Sequence, residues 1–332
     1  MEFVKPEVLE KIEGNISNIK LIVIGDCILD RYFFGEVNRI SPEAPVPVFD
    51  LKVIQYRLGG AANVAANLRG LGVDVDLVGV VGEDDKGRVL KALAEKQNIG
   101  ISGIITDATR PTIIKTRLIA QAQQLLRIDR EEKKPLDNSA KSCLKEVYLK
   151  LLERANGVIV SDYAKGVFLE DEFCNWLITQ AIKREKKVFV DPKTPKWKKY
   201  TGATVITPNL KEFKEVLAIE GLEDKDFDSA SEVLVKKYGL EFLVITLGKE
   251  GIYLFHPEEG SVKLPAYAKE VYDVSGAGDT VIASLSAFYL TGISLKEAVE
   301  LANVSAGIVV GKVGTQPVFW REVKEFIMEK FK

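Results

Sequence analysis

Residues 271–285, VYDVSGAGDTVIASL, decide the fold and the chemistry expected of this chain. A β-prone tripeptide leads into Gly276-Ala277-Gly278-Asp279, and an apolar helix-forming run follows. Glycines at the start of a helix let backbone N–H groups converge on one point, where the helix dipole also favours an anion. Asp279 falls in the same first turn, so a base would stand beside the amides that hold a developing charge. The segment predicts an anion-stabilising site with its own base, although the tetrapeptide alone also fits a plain turn.

Length and composition limit the class of protein. The chain has 332 residues, 46% of them hydrophobic, and its 46 basic residues nearly balance 48 acidic ones. That size suits one large α/β domain with an appendage or two smaller domains, and the balance argues against a nucleic-acid surface. Cys27, Cys143 and Cys174 show no CxxC spacing, which indicates reduced thiols instead of disulfides or a zinc site. With no secretion signal or membrane-length apolar run, we expect a cytoplasmic protein without a membrane partner.

The order of apolar runs predicts the architecture. Residues 21–25, LIVIG, have the composition of a buried parallel strand. Further strands are predicted at 74–82, 157–162, 187–193, 203–209, 242–247 and 251–256. Helical patterns alternate with them, which predicts a mostly parallel, doubly wound sheet with helices on both faces and a single domain over residues 1–332. No GxGxxG follows residues 21–25, which counts against an NAD-dependent oxidoreductase, and no Walker A motif is present.

Two segments, residues 33–57 and 111–129, interrupt this alternation. Pro42, Pro45 and Pro47 exclude a helix from the first segment, and the residues that follow alternate like an exposed or edge strand. The second segment contains two similar alternating runs. Proline-rich segments are often simple connectors, but the strand patterning favours a small β lid over the edge of the sheet.

Polar side chains stand near the ends of the predicted strands, where open α/β sheets bind ligands. They are Asp30, Asp162, Lys165, Asp191, Lys193, Asn209, Glu212, Thr246, Gly248 and Asp279. Each alone could cap a helix or lie in a solvated turn, but the set together indicates one binding cleft. The lid adds Lys115, Arg117 and Arg127, which could protect a sheet edge or contact a substrate phosphate.

The chain resembles the ribokinase-like (PfkB) family of carbohydrate kinases along nearly its whole length. The markers, in order, are GGAAN at 59–63, NLKE at 209–212, TLG at 246–248 and DVSGAGDT at 273–280. Further segments are similar to the D-glycero-β-D-manno-heptose 7-phosphate kinases of that family; they lie at 25–32, 38–48, 161–166 and 191–193. The resemblance implies a ribokinase-like α/β/α fold and ATP-dependent phosphorylation of that sugar at its C1 hydroxyl, in ADP-heptose and lipopolysaccharide precursor synthesis.

The resemblance also implies roles for individual residues. Asp279 would act as the base, with Gly276, Ala277 and Gly278 as the anion-binding amides. Implied contacts to ATP are Lys193, Asn209, Glu212, Thr246, Gly248, Gly251 and Asn303, with Glu212 also acting on Mg²⁺ through water. Implied contacts to the sugar are Asp30, Gly59, Gly60, Asn63, Arg117, Asp162 and Lys165. Asp273 and Ser275, with main-chain oxygens near Val309 and Gly314, would form a K⁺ site.

Several alternatives stay open at this point. Another kinase of the same family, acting on ribose, fructose or a different sugar phosphate, fits the same motifs, and so does a non-catalytic sugar or nucleotide sensor. The candidates for binding the 7-phosphate are Lys115, Arg117, Arg127 and Lys165. The resemblance further implies a homodimer through the lid. The only histidine, His256, is expected at the surface. Because one histidine cannot form HxGH, the signature of the nucleotidyltransferase domain fused to many such kinases, we expect no such domain.

Overall fold

The computed structural model describes residues 2–121, 123–268 and 271–331, and these form two sheets surrounded by helices. The strands of the larger sheet are β1 (Lys20–Gly25), β4 (Asp74–Gly82), β5 (Gly100–Asp107), β8 (Gly157–Ser161), β9 (Lys187–Asp191), β10 (Val205–Ile206), β11 (Phe242–Thr246), β12 (Ile252–His256) and β13 (Gly260–Leu264). The strands of the smaller sheet are β2 (Cys27–Ile40), β3 (Pro47–Gly60), β6 (Ile113–Ala120) and β7 (Gln123–Arg130). The helices are α1 (Pro6–Asn15), α2 (Ala61–Leu71), α3 (Asp85–Lys96), α4 (Asn138–Leu152), α5 (Asp171–Ile182), α6 (Leu210–Glu220), α7 (Phe227–Tyr238), α8 (Ala277–Leu290), α9 (Leu295–Val309) and α10 (Trp320–Lys330).

The larger sheet runs in the order β13-β12-β11-β10-β9-β8-β1-β4-β5. It is parallel except at β12 and β13, which pair antiparallel at one edge. Strand β1 lies between β4 and β8, with Val23 opposite Leu77 and Ile159. The predicted mostly parallel sheet is therefore confirmed, with an antiparallel hairpin at its edge.

Alternation along β1 shows why the sheet carries helices on both faces. Leu21 and Val23 belong to the core cluster that includes α2, α8 and α9. Ile22 and Ile24 belong to the opposite cluster, which includes α4, α5 and α7. Successive side chains of a strand point to opposite faces, so a strand that is apolar throughout is buried from both sides. The predicted three-layer α/β/α arrangement is confirmed.

The smaller sheet, in the order β3-β2-β6-β7, is the lid. Strands β2 and β3 form a long antiparallel hairpin, β6 pairs parallel with β2, and β7 pairs antiparallel with β6. Strand β2 begins at Cys27, two residues after β1 ends and ahead of the predicted segment 33–57, whereas β6 begins at Ile113, inside the predicted segment 111–129. Pro47 is the first residue of β3, a position where a strand tolerates the missing N–H group.

The sequence analysis did not predict helix α1 or strands β5 and β13. The strand expected at 203–209 shrinks to the two residues of β10 and ends before Pro208, whose ring removes a donor from the ladder. His256 ends β12, half-buried, and its ring accepts from the amides of Glu258 and Glu259 at 3.2 Å. Across the described ranges, every helix is too short or too polar to cross a membrane.

Candidate active site

Asp279 lies in the first turn of α8 and is almost fully buried. Its Oδ2 accepts from the side-chain amide of Asn63 at 2.7 Å, and its Oδ1 accepts from the hydroxyl of Tyr163 at 2.6 Å. Burial raises the pKa of Asp279 to about 6, against the lowering effect of these two hydrogen bonds. The carboxylate is therefore ionised at neutral pH yet basic enough to accept a proton, as a general base requires.

The glycines before Asp279 leave the start of α8 open. Gly276 precedes the helix with φ of 82°, in the left-handed region that favours glycine. A Cβ on Gly276 would lie 2.7 Å from Nδ2 of Asn63, so a side chain there would displace the Asp279 partner. A Cβ on Gly278 would meet no atom within 4 Å. The helix N-terminus therefore faces free space, as the sequence predicts for an anion site.

Asp30 stands on β2 close to this centre and is buried. Its Oδ1 accepts from Arg117 at 2.6 Å, and its Oδ2 accepts from Thr315 at 3.1 Å. Gly59 faces it on β3, where a Cβ would lie 2.7 Å from Oδ2 of Asp30. Gly60, with φ of 57°, joins β3 to α2 and so brings Asn63 to Asp279. The structure thus assembles the predicted sugar-contact residues of the lid and α2 at one point.

A large cleft of about 480 Å³ opens beside the start of α8. Five residues predicted to contact ATP line it: Asn209, Thr246, Gly248, Gly251 and Asn303. The remaining lining is mostly apolar, as suits a flat aromatic base. Asn303 differs from expectation in detail, because its side-chain amide donates to the backbone oxygen of Pro265 at 2.8 Å. It therefore holds the wall of the cleft.

A smaller cleft of about 140 Å³ joins the large one through Asn209, Thr246 and Gly278. Its wall includes Asp279 and a set of charged residues at neighbouring strand ends, namely Asp191, Lys193 and Glu212. Lys193 donates to Glu212 at 2.8 Å, while Glu212 and Asn209 cap the start of α6 reciprocally. Burial, followed by repulsion from Asp279 and Glu212, holds the pKa of Asp191 well above its usual range.

That carboxylate cluster fits a hard cation held mainly by phosphate and water oxygens, as Mg²⁺ usually is. In the part of the chain that the structure describes, no three His, Cys, Asp or Glu side chains stand close enough to cage a metal ion alone. Crowded carboxylates repel one another, and a divalent cation between them would relieve that repulsion. Glu212 and Asp191 both line the smaller cleft, where their carboxylates repel each other.

Comparison with known proteins agrees with this geometry. The profile of the pfkB family carbohydrate kinases matches residues 18–321. The chain belongs to this family.

Two curated relatives are each named bifunctional protein HldE. The protein from Methylobacillus flagellatus is 45% identical over 92% of this pfkB-family chain and 62% of the relative. The protein from Helicobacter pylori strain G27 is 44% identical over 89% of this chain and 64% of the relative. The chain thus spans less than two thirds of the length of these relatives.

Solved structures share the fold of this pfkB-family chain. Ribokinase of Arabidopsis thaliana, complexed with ribose and ATP, superimposes with a TM-score of 0.72 at 21% identity, covering 93% of this chain and 98% of that one. Phosphofructokinase-2 of Escherichia coli, in complex with potassium, gives 0.76 at 19% identity, covering 95% and 99%. The predicted ribokinase-like fold is confirmed.

Asp162, predicted as a sugar contact, lines the smaller cleft and makes several hydrogen bonds within the chain. Its carboxylate is buried, with Oδ2 accepting from Lys199 and Tyr200 at 2.6 Å each. Oδ1 accepts from the amide of Ala164 at 2.7 Å. Both oxygens are engaged and hold the loop after β8 in this pfkB-family fold, so a contact from Asp162 to the sugar stays a prediction. The sequence pattern shows that a residue follows a strand, but it does not show which neighbours form hydrogen bonds with its side chain.

Two site residues were missed by the sequence reasoning. Tyr163 donates to Asp279, and Asp26 holds the loop that carries it: the amides of Tyr163, Lys165 and Val167 all donate to Asp26 within 3.1 Å. Burial raises the pKa of Asp26 to about 6 despite these bonds. The sequence signals were the position of Asp26 directly after the first buried strand and the location of both residues in the resembling segments 25–32 and 161–166.

The loop residues expected to bind K⁺ lie together. Asp273 accepts from the amide of Ser275 at 2.8 Å and from that of Gly314 at 3.1 Å. The amide of Asp273 donates to the oxygen of Val310 at 3.2 Å. The segments 272–275 and 310–314 of this pfkB-family chain thus meet beside the start of α8.

Proposed function

We propose that this chain phosphorylates D-glycero-β-D-manno-heptose 7-phosphate at the C1 hydroxyl, with ATP as donor, in the synthesis of ADP-heptose. The observation that carries the proposal is Asp279, a buried carboxylate with a pKa of about 6 at the open start of α8, between the lid and two joined clefts. Family membership supports the sugar kinase chemistry. Identity of 44–45% to proteins named HldE and the motif resemblance at 25–32, 38–48, 161–166 and 191–193 support the choice of sugar.

The reaction is a direct phosphoryl transfer. Asp279 takes the proton of the C1 hydroxyl while that oxygen forms a bond to the γ-phosphorus of ATP. The bond from that phosphorus to the β,γ-bridging oxygen breaks, and ADP leaves. The backbone amides of Gly276 and Gly278 and the helix dipole stabilise the charge on the transferring group. The amide of Ala277 already donates to the oxygen of Val274 at 3.3 Å. General-base assistance of this kind contributes about 10²–10⁴-fold in rate.

ATP lies, in this proposal, with its base in the large cleft and its phosphates at the smaller one. Lys193 and Asn209 contact the phosphates there, and Glu212 holds Mg²⁺ through water. Magnesium neutralises the phosphate charge that would otherwise face a cluster of carboxylates. Asp273 and Ser275 contribute to a K⁺ site, and the positive charge of the ion adds to the anion-stabilising field at the start of α8.

The sugar lies between the lid and α2, where Asp30, Gly59, Gly60 and Asn63 surround its hydroxyls. The phosphate of the sugar needs a basic side chain as its partner. The four candidate residues differ in whether an acidic side chain already pairs with them. Arg117 binds Asp30 at 2.6 Å, Arg127 binds Asp129 at 3.0 Å and Lys165 binds Glu131 at 2.5 Å. Lys115 has neither a hydrogen bond nor an ion pair with any residue that the structure describes.

The position of Lys115 fits a phosphate contact. It lies on β6 between Asp30 of β2 and Asp129 of β7, and it is half-buried. Burial lowers the pKa of Lys115, and the attraction of the nearby carboxylates of Asp129 and Asp30 does not offset it. An incoming phosphate would supply the missing partner. We assign the 7-phosphate to Lys115, with Arg117 and Lys165 as neighbouring positive charges.

The lid also offers a surface for a second copy of the chain. Large apolar side chains of β3 and β7 are 43–52% exposed: Leu51, Val53, Ile54, Leu125, Leu126 and Ile128. These strands are the two edges of the lid sheet, and edges with apolar side chains favour pairing. We propose one kinase domain, with residues 33–57 and 111–129 as the lid segments, that forms a homodimer through them.

Turnover on a sugar panel tests the proposed function. ADP release is measured with heptose 7-phosphate, ribose, fructose and fructose 6-phosphate, and ³¹P NMR identifies the phosphorylated position. We expect the highest kcat/KM with heptose 7-phosphate and a C1 phosphate, and Asp279→Asn should reduce kcat by about 10²–10⁴-fold. Preference for ribose or fructose would refute the sugar assignment. ATP binding without turnover on any sugar would indicate a sensor.

A further inference from the structure

Glu300 is a buried carboxylate that the proposed reaction does not use. It lies in α9, fully buried, and forms no ion pair with a lysine or arginine in the ranges that the structure describes. Its oxygens accept from the backbone amides of Glu2 at 2.6 Å, Phe3 at 2.8 Å and Val4 at 2.7 Å. Three consecutive amides therefore satisfy a charge that would otherwise be unfavourable in the core.

The same carboxylate has a fourth donor from another part of the chain. The hydroxyl of Tyr267 donates to Glu300 at 2.5 Å. Burial opposes the charged form of Glu300, but the bonds from Tyr267 and from the three amides outweigh it and leave the pKa below its usual range. Glu300 therefore stays charged and joins residues 2–4 to Tyr267.

Tyr267 lies in the wall of the large cleft, on the segment 265–268 that follows β13. Helix α9 holds this segment at three points along one face. Glu300 binds Tyr267, Asn303 donates to the oxygen of Pro265 at 2.8 Å, and Gly307 admits close backbone contact. A Cβ on Gly307 would lie 3.1 Å from the carbonyl carbon of Tyr267 and from the nitrogen of Ala268. Spacings of three and four residues place these positions on the same side of a helix.

We propose that Glu300 is a positioning residue that couples the docked N-terminal segment, residues 2–4, to the wall of the nucleotide cleft through Tyr267. The inference rests on the proposed function, since it takes the large cleft as the ATP site. Releasing residues 2–4 would leave Glu300 with three fewer donors and loosen Tyr267, and ATP would then bind a less preorganised wall. Because binding linkage is reciprocal, ATP should also tighten the docking of residues 2–4.

Direct binding of ATP–Mg²⁺ by calorimetry tests the coupling without an acceptor sugar. Two variants remove opposite ends of the link: a chain lacking residues 2–4, and Tyr267→Phe in the full chain. We expect the Kd for ATP to rise about 5- to 20-fold in each, with KM for the sugar within about twofold. Tyr238→Phe is the matched control, since it removes a similar tyrosine–glutamate bond, to Glu220, outside the residues that line the cleft.

Hydrogen exchange supplies the readout that a purely structural role would not change. In the wild type, ATP should slow exchange at the amides of Phe3 and Val4, and Tyr267→Phe should abolish that slowing. An unchanged Kd in both variants, or no ATP effect on these amides, would overturn the inference. If the wild type itself fails to bind ATP, the proposed function fails instead, so the two failures are distinguishable.

Discussion

Asn63 donates to Oδ2 of Asp279 at 2.7 Å and so ties the first turn of α2 to the first turn of α8. The bond favours the charged form of the carboxylate and limits the rise in pKa that burial causes. The geometry of the base and its protonation thus depend on one amide from a helix more than two hundred residues away in sequence.

The pH dependence of the reaction should report this bond. A base with a pKa of about 6 is active above that value and protonated below it, so kcat/KM should rise with pH through about 6. Asn63→Ala removes a hydrogen bond to the charged form, and the midpoint should move upward by about one pH unit. Initial rates across a pH series measure the shift.

Asn67→Ala is the control for that series. Asn67 lies one turn further along α2 and is also buried, but it contacts Thr280, Val318 and the backbone oxygen of Asn63 instead of Asp279. We expect it to lower the melting temperature and leave the midpoint near about 6. Equal midpoints in both variants would show that Asn63 does not set the ionisation of Asp279.

Gly278→Ala should separate activity from stability. The added methyl group meets no protein atom within 4 Å, and alanine in a helix is more favourable than glycine by about 0.5–1 kcal/mol. The methyl group would project into the clefts that Gly278 lines. We therefore expect an unchanged or higher melting temperature with a loss of about 10- to 100-fold in kcat/KM for ATP.

Gly14→Ala provides the comparison for Gly278→Ala. Gly14 lies in α1, and a Cβ there also meets nothing within 4 Å. It should gain similar stability and retain full activity. If Gly278→Ala also retains full activity, the phosphates of ATP do not approach the start of α8 as proposed.

Lys115→Met should weaken binding of the sugar phosphate selectively. Loss of a charged contact to phosphate should raise its KM about 10- to 100-fold, while KM for ATP stays within about twofold. Removing a half-buried ammonium without a partner should not lower the melting temperature. Lys52→Met, at an exposed position of β3 paired with Asp50, is the control. A fall in kcat with unchanged sugar KM would instead place Lys115 on the transferred phosphoryl group.

The lid dimer predicts a change of mass in solution. Leu126→Glu combined with Ile128→Glu puts two charges on the exposed face of β7 and should convert a dimer to a monomer in light scattering. Val233→Glu, at an exposed site of α7, should not change the mass. A wild type that is monomeric at micromolar concentration would contradict the dimer directly.

Local sequence patterns predicted the fold of this protein and the open start of α8. The apolar run of β1 predicts a strand buried on both faces, and the alternation of strands with helices predicts the doubly wound sheet. Gly276 and Gly278 before Asp279 predict an open helix start, because only residues without a side chain leave that space free. These signals lie within a few neighbouring residues, so they can be read from the sequence.

Contacts between distant segments were decided only by the tertiary structure. Asp162 was predicted to contact the sugar, but its carboxylate already accepts hydrogen bonds from Lys199 and Tyr200. Tyr163, in contrast, donates to Asp279 across more than one hundred residues. Asn303 donates to the oxygen of Pro265, and Glu300 accepts from Tyr267 in the wall of the cleft. No local sequence pattern predicts either pair. Whether a polar group is free or already bonded depends on which chain segments pack around it, and burial makes that difference large. Sequence therefore supplied the chemical groups, and packing decided which of them remain available.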